Sequence, residues 1–316
     1  YHLQAMLDSG VYFRAATPET VPPAEFEQKR EELLAWYQTK LGGLPPETGT
    51  GTAPVSPESL VSALSPSGVV LQHEYLLQTP QPDLVDAPPP APQPPGSSYE
   101  KMHDSIHPFW VSTLGRLGYK DALLVDGIRG EVVYSVKKNL DFGTSMLEGP
   151  LASSHAAEAF RLAWKSEPGT VIFEDAAPYL PAGNADVCFI ATPVFSRGEK
   201  KGVVLFEFSI ERFNDILGAM AALGDSGAVY LVGPDYEPRG GAAKVLARRA
   251  ALGVDEASGA APLDIEPARI VFHLGQSGCN VYRDGAGHEA LIAYTPIEIL
   301  GVTWALIAQV DTAEAF

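Results

Sequence analysis

The chain writes one hairpin twice, and that repeat limits what it can become. "VCFIATPVFSRGEKKGVVLFEFSIERF", beginning at Val187, and "EALIAYTPIEILGVTWALIAQVDTAEAF", ending at Phe316, each read as two apolar strands around a glycine, then an acidic turn into a helix start. Pro296 answers Pro193 and Gly301 answers Gly202, at an offset of about 100 residues. That period is domain-sized, which excludes a solenoid. Earlier parts repeat as well. "GDSGAVYLVGPDYEP" echoes "YKDALLVDGIRGEV" as strand and turn, and "RIVFHL" takes the place of the strand "TVIFED". Strands that arrive as hairpins, with helices between the groups, predict an α+β chain with two tandem antiparallel-sheet modules rather than βαβ winding.

Ahead of the modules lies a long helical region. "PPAEFEQKREELLAWYQTKLGG" has proline at its start, charges at helical spacing and a glycine stop, and two short helical pieces follow around "SPESLVSAL" and "VVLQHEYLLQ". Residues 79–96, "TPQPDLVDAPPPAPQPPG", are Pro-rich and cannot form a core; they read as an extended surface loop or as a docking segment for a protein partner. A further helix runs through "SSYEKMHDSIHPFWVSTLGRLGY", and after the first strand pair a short one lies in "SSHAAEAFRLAWKS". "ERFNDILGAMAAL" reads as the helix that closes the first module. The expected organisation is 1–98 as helical lead with the Pro-rich loop, 99–222 as the first module and 223–316 as the second.

Composition narrows the function classes. Over 316 residues, 22 basic against 39 acidic side chains leave a net charge of −17, which argues against nucleic acid or an anionic membrane surface as partner. Cys188 and Cys279 form no CxxC or Cys/His spacing and lie in or beside apolar segments, so they read as buried free thiols, with one long-range disulfide as the alternative. No apolar run approaches a transmembrane helix and no signal peptide is visible. A first residue Tyr1 in place of Met suggests an excised piece of a longer protein.

Enzymatic motifs are weak. "HDSIH" puts His103 and His107 at i, i+4 on one helix, a spacing that can ligate a metal, but Asp104 stands where a zincin needs Glu and no third ligand is evident. "GDSGA" around Ser226 resembles a nucleophilic serine stretch, yet it lies at a helix-to-strand junction with no His/Asp pair to serve it. No glycine pattern for nucleotide phosphates is present. The residues therefore predict neither cofactor, metal nor catalytic group.

The order of parts resembles the double Cache sensor domain of bacterial transmembrane receptors. "LGYKDALLVDGIRGEVVYSV", "DFGTSMLEGP", "APYLPAGNADVCFIATPVF" and "ILGVTWALIAQVDTAEAF" look like the sensor regions of methyl-accepting chemotaxis proteins and of related kinases and cyclases. The likeness covers residues 99–316, and the first hundred by general layout. It implies two PAS-like modules and a periplasmic, non-enzymatic role sensing a small molecule in the first, membrane-distal module. It also implies a homodimer in the full receptor, joined to the membrane only through flanking transmembrane helices, with "DTAEAF" as the stretch before the second.

Family members that sense amino acids hold the ligand carboxylate with an aromatic–arginine–tryptophan cluster and its ammonium with a Tyr, an Asp two residues on, and an Asp on the last strand. Here the helix offers no arginine, Tyr179 is kept, Pro181 replaces the first Asp and Glu207 stands in place of the last. Half of the amine-side pattern survives. Tyr134, Phe142, Tyr179, Phe189 and Phe195 supply aromatics, with Asp175, Asp186, Glu207 and Thr192 as acceptors, a set suited to an amine. His103 and His107, if protonated, would suit a carboxylate instead. A metal-binding or enzymatic use of that histidine pair and a protein-interaction role for the Pro-rich stretch are the competing readings.

Overall fold

The computed structural model describes residues 10–14, 21–42, 55–77, 98–220, 223–251, 263–283 and 287–316. The Pro-rich stretch 79–96 lies outside them. The chain divides into two compact units, Tyr1–Ser209 and Ile210–Phe316. Each holds one five-stranded antiparallel sheet, and the strand orders are the same: β2-β1-β5-β4-β3 in the first and β7-β6-β10-β9-β8 in the second. The chain is α+β, with two tandem PAS-like modules behind a helical N-terminal region.

In the first unit β1 (Asp121–Asp126) pairs with β2 (Val132–Ser135) and with β5 (Glu199–Ser209); β4 (Ala185–Ser196) lies between β5 and β3 (Ile172–Tyr179). All six residues of β1 are buried because both faces of the sheet are covered. Ala122 and Leu124 pack with Tyr99, Met102 and Ile106 of the helix Ser98–Leu117, whereas Leu123 and Val125 pack with Ala156, Ala159 and Phe160 of the helix His155–Lys165. A strand covered on both faces loses the polar alternation of a one-sided sheet, hence "DALLVD". The N-terminal helices build a separate cluster from Leu33, Tyr37, Leu60, Val61, Leu64 and Val69, which also takes in Leu140. Two of these helices start on serine caps followed by proline: Ser56 Oγ accepts from the Ser59 amide and Ser65 Oγ from the Gly68 amide.

In the second unit β6 (Ala228–Val232), β7 (Pro238–Gly240), β8 (Gly278–Arg283), β9 (Glu289–Ile299) and β10 (Val302–Asp311) repeat the plan. One face buries Tyr230, Ile292, Tyr294 and Ile307 with Ala268 and Val271 of the helix Glu266–Leu274. Trp304 is fully buried, with Phe213 edge-on at 5.2 Å. The helix Glu211–Met220 therefore packs with the second sheet instead of closing the first.

Two further expectations change. "RIVFHL" is not a strand but part of the helix Glu266–Leu274, started by Pro267 and stopped by Gly275 in the left-handed region at φ 63°. Its place as outer strand falls to "GCNVYR", an exposed edge whose outward polar residues hide it. The two hairpins also align differently. Arg197–Gly198 (φ 51° and 81°) and Leu300–Gly301 (φ 48° and 95°) are matching two-residue turns with positive φ at both positions, so Gly301 corresponds to Gly198 and not to Gly202. This puts Pro193 and Pro296 at the same place. Each pairs with β5 or β10 beyond the last residue paired to the outer strand, where a missing N–H costs no ladder bond. Cys188 is buried and Cys279 is exposed, and neither forms a disulfide; the expectation of two buried thiols holds only for Cys188.

Candidate functional site

Where β2 ends, the chain turns across the end of the sheet through residues 136–144. Asp121, fully buried, organises that crossing. Its Oδ1 accepts from the amides of Ala122 (2.7 Å), Val136 (2.9 Å) and Lys137 (3.1 Å), and its Oδ2 accepts from the Ser135 hydroxyl (3.2 Å). Ser135 Oγ in turn accepts from the Lys138 amide at 2.7 Å, with Lys138 in the left-handed region at φ 54°. From the N-terminal side Gln72 donates its amide to the carbonyls of Leu140 and Phe142 and accepts from the Tyr37 hydroxyl at 2.7 Å. The loop is thus fixed from both sides, and its polar side chains are carried into the interior.

On the face covered by the helix Ser98–Leu117, that places a cation among aromatic rings. Lys138 is 2% exposed, and its ammonium stands 4.3 Å from the Tyr134 ring centroid, 4.8 Å from Phe142 and 5.4 Å from Tyr75, while donating to the Ser135 carbonyl. His103 and His107 stack at 4.4 Å beside it; His107 Nδ1 meets the Tyr134 hydroxyl at 3.2 Å, and His103 Nε2 is buried without a partner. Burial lowers all three bases. It drives His103 well below the ordinary histidine value and His107 to about 3, in both cases helped by the charge of Lys138. Lys138 itself falls to about 7, against the pull of Asp121 and Asp141. The histidines are therefore neutral imidazoles at neutral pH, and the cation that could meet an anion on this face is Lys138.

The opposite face presents acids. Asp141 Oδ2 accepts from the Tyr179 hydroxyl at 2.9 Å, while Asp141 Oδ1 and Glu207 Oε2 are buried with no partner. Asp141 is 0% and Glu207 2% exposed. Glu207 stands in register with Asp121 on β1 and with Phe189 on β4. Burial, reinforced by the charge of Asp121, pushes Asp141 up to about 7 and Glu207 up to about 8. His155 donates Nε2–H to the Val187 carbonyl at 3.0 Å, which fixes its tautomer, and its ring packs on Phe189 (5.1 Å) and Tyr179 (5.7 Å). Burial lowers it to about 4. The result is a neutral aromatic wall beside two carboxyls with open oxygens.

The residues singled out from sequence are distributed as follows. Tyr179 and Glu207 come together on the acidic face. Tyr134, Phe142, His103 and His107 share the Lys138 face. Asp175 is half-buried near His155, with its own Oδ1 accepting from the Ala176 amide. Asp186 is exposed on β4 opposite Pro178, and the Thr192 hydroxyl donates to the Thr170 carbonyl at 2.8 Å. Asp141 and Lys138, which complete the two faces, do not stand out in the sequence: "KKNLD" reads as a charged loop. Among the described residues no group of three or more His, Cys, Asp or Glu is placed to hold a metal ion. Ser226 donates its hydroxyl and its amide to Glu314 as part of a turn.

No protein-family model matches the chain, and no curated protein does. Solved structures do. The ligand-binding domain of the Pseudomonas fluorescens chemoreceptor CtaA, in complex with L-alanine, is 17% identical at a TM-score of 0.43, over 67% of this chain and 81% of that one. The ligand-binding domain of the Pseudomonas aeruginosa PAO1 amino acid chemoreceptor PctC, in complex with GABA, is 14% identical at 0.42, over 90% and 96%. The extracellular domain of the histidine kinase rpHK1S-Z16 is 12% identical at 0.46, over 67% and 79%. Two of these are thus ligand-binding domains of chemoreceptors and one is the extracellular domain of a histidine kinase, all under 20% identical to this chain.

Proposed function

We propose that this chain is the extracytoplasmic ligand-sensing part of a transmembrane signalling receptor, and that its first unit binds a small molecule carrying an amine. One observation carries the amine assignment: Asp141 Oδ1 and Glu207 Oε2 are deeply buried and unpartnered on the face that holds Tyr179. A buried carboxyl without a partner costs free energy, and an ammonium group with three N–H donors supplies the missing bonds and the opposite charge at once. The flanking Tyr179, His155 and Phe189 rings add an apolar and cation–π lining. On binding, the two acids give up the protons that burial makes them hold, so the bound state differs from the empty one in charge as well as in contacts. A signal follows if that difference favours one of two conformations of the receptor. Among the described residues no helix is long and apolar enough to cross a membrane; the anchoring spans, the periplasmic location and a homodimeric receptor belong to the proposal.

A ligand carboxylate is the second possibility, favoured by the unpartnered His103 Nε2 and by Lys138, whose ammonium donates to one carbonyl. Calorimetric titration with primary amines, amino acids and small carboxylates separates the two. Binding of an amine that is lost in both Glu207→Gln and Asp141→Asn supports the acidic face. Binding of a carboxylate lost in Lys138→Met but kept in Glu207→Gln moves the site to the other face.

A further inference from the structure

At the far end of the first sheet from Asp121 and Glu207 lies a cavity of about 430 Å³. Five strand rises along β1 take the chain from Asp121 to Asp126, which lines the cavity, about 17 Å at the ordinary rise of ~3.4 Å. Arg14, Lys200 and Lys201 line it with Asp126, Ser196 and Trp164. Three cations against one carboxylate leave a lining charge of +2, in a chain whose net charge is −17.

Arg14 and Lys201 are each held by one carboxylate, and Lys200 by carbonyls alone. Asp126 Oδ1 accepts from the amides of Ile128 (2.9 Å) and Arg129 (2.8 Å), closing the β1–β2 turn, and its Oδ2 pairs with Arg14. Lys200 donates to the carbonyls of Trp164 (2.6 Å) and Ser166 (2.7 Å) at the end of the helix His155–Lys165, and stands 5.5 Å over the Trp164 ring. No ion pair among the described residues includes Lys200, and one of its three donors is unspent. Among the described residues Lys201 pairs with the exposed Glu199, a contact that an incoming anion displaces at little cost.

The wall is built as carefully as the charge. A Cβ at Gly127 would stand 2.1 Å from the Trp164 ring, and one at Gly202 2.4 Å from the Val125 carbonyl oxygen. Only glycine lets the indole lie flush against the turn, so a flat apolar surface sits beside three cationic groups.

We propose that this cavity is a second ligand site, specific for a small organic carboxylate whose aromatic or apolar body lies along Trp164. It is distinct from the acidic face and takes a ligand of opposite charge. A chain this acidic repels anions at long range, so local concentration of three cations in a cleft is what makes such a site workable.

The test is titration of the whole chain with benzoate and indole-3-acetate, with inorganic phosphate and acetate as charge-only probes, followed by amide chemical shifts and calorimetry. Binding is expected for the aromatic carboxylates, with the largest shifts at Gly127, Gly202 and the Trp164 indole N–H. Lys201→Gln and Arg14→Gln should each weaken it about tenfold, the loss of one charge-assisted contact. Lys101→Gln, an exposed lysine on the helix Ser98–Leu117, should leave it unchanged. Because Lys200→Met could loosen the helix end, Gly127→Ala serves as the second probe, since it displaces the indole without removing a charge. Unchanged affinity in folded Lys201→Gln and Arg14→Gln would overturn the proposal. So would phosphate or acetate binding as tightly as benzoate, or shifts confined to the Tyr179 region.

Discussion

Replacing Glu207 by Gln tests the acidic face without a ligand in hand. Burial holds the Glu207 carboxyl at about 8 in the folded chain against 4.5 for the free side chain. Below pH 4.5 it is protonated in both states and adds no penalty. As pH rises beyond 4.5 the unfolded chain releases the proton while the folded one keeps it, so stability falls until about pH 8 and is level thereafter. Each unit of separation is worth about 1.4 kcal/mol, which sets an upper bound of about 5 kcal/mol; with relaxation and water entry the working range is about 2–5 kcal/mol. Glutamine has the same shape and no charge to bury. Glu207→Gln should therefore match the wild type near pH 4.5 and exceed it in stability by about 2–5 kcal/mol at pH 8. Urea denaturation at pH 5, 6, 7 and 8 measures this. Asp141 lowers wild-type stability over a similar window and its charge helps raise Glu207, so their coupling is part of the difference; Lys138 raises stability with pH only between about 7 and 10.5 and is common to the two proteins. A difference that does not change with pH, or a Gln variant less stable at pH 8, would refute the buried, unpaired carboxyl. The same linkage governs the amine: apparent affinity should rise toward pH 8, by up to about tenfold per pH unit for each acid that gives up its proton.

Three more outcomes can be checked. Asp121→Ala removes an acceptor shared by the amides of Ala122, Val136 and Lys137 and should cost about 2–3 kcal/mol in urea denaturation. Leu300 is 58% exposed at φ 48°, a conformation that asparagine tolerates better, so Leu300→Asn should raise stability by about 0.5–1 kcal/mol in the same assay. A thiol-specific disulfide reagent should titrate one cysteine, Cys279, in the native chain and both in denaturant; two fast thiols would contradict the burial of Cys188.

The sequence carried much of the fold because hairpins are local. Alternating apolar residues and a two-residue positive-φ turn announce a strand pair within about 25 residues, and seeing it twice predicts two like sheets. What was misread was equally local. "RIVFHL" is too short and too apolar for its period to decide between strand and helix; Pro267 and Gly275 were the signals that settle it. Gly198 and Gly202 both offered themselves as the hairpin glycine, and only backbone conformation separates them. "GCNVYR" is an edge strand whose outward face is polar, so it lacks the apolar pattern by which strands are found.

The site divides in the same way. Tyr179 and Glu207 were legible because each occupies a patterned strand position that a resemblance could match. Asp141 and Lys138 were not, because nothing local distinguishes a charge in a solvated loop from one in a buried loop. Their burial is decided by residues far away in sequence. Gln72, held by Tyr37, grips the carbonyls of Leu140 and Phe142, and Asp121 gathers the amides of 136 and 137. The amino-acid order by itself therefore determined two sheets of one kind and the polar groups they have to accommodate. Which carboxyls lose water, which rings surround the lysine and which three cations share a cleft were decided by tertiary packing, since desolvation and charge proximity belong to the folded arrangement and not to any segment of the chain.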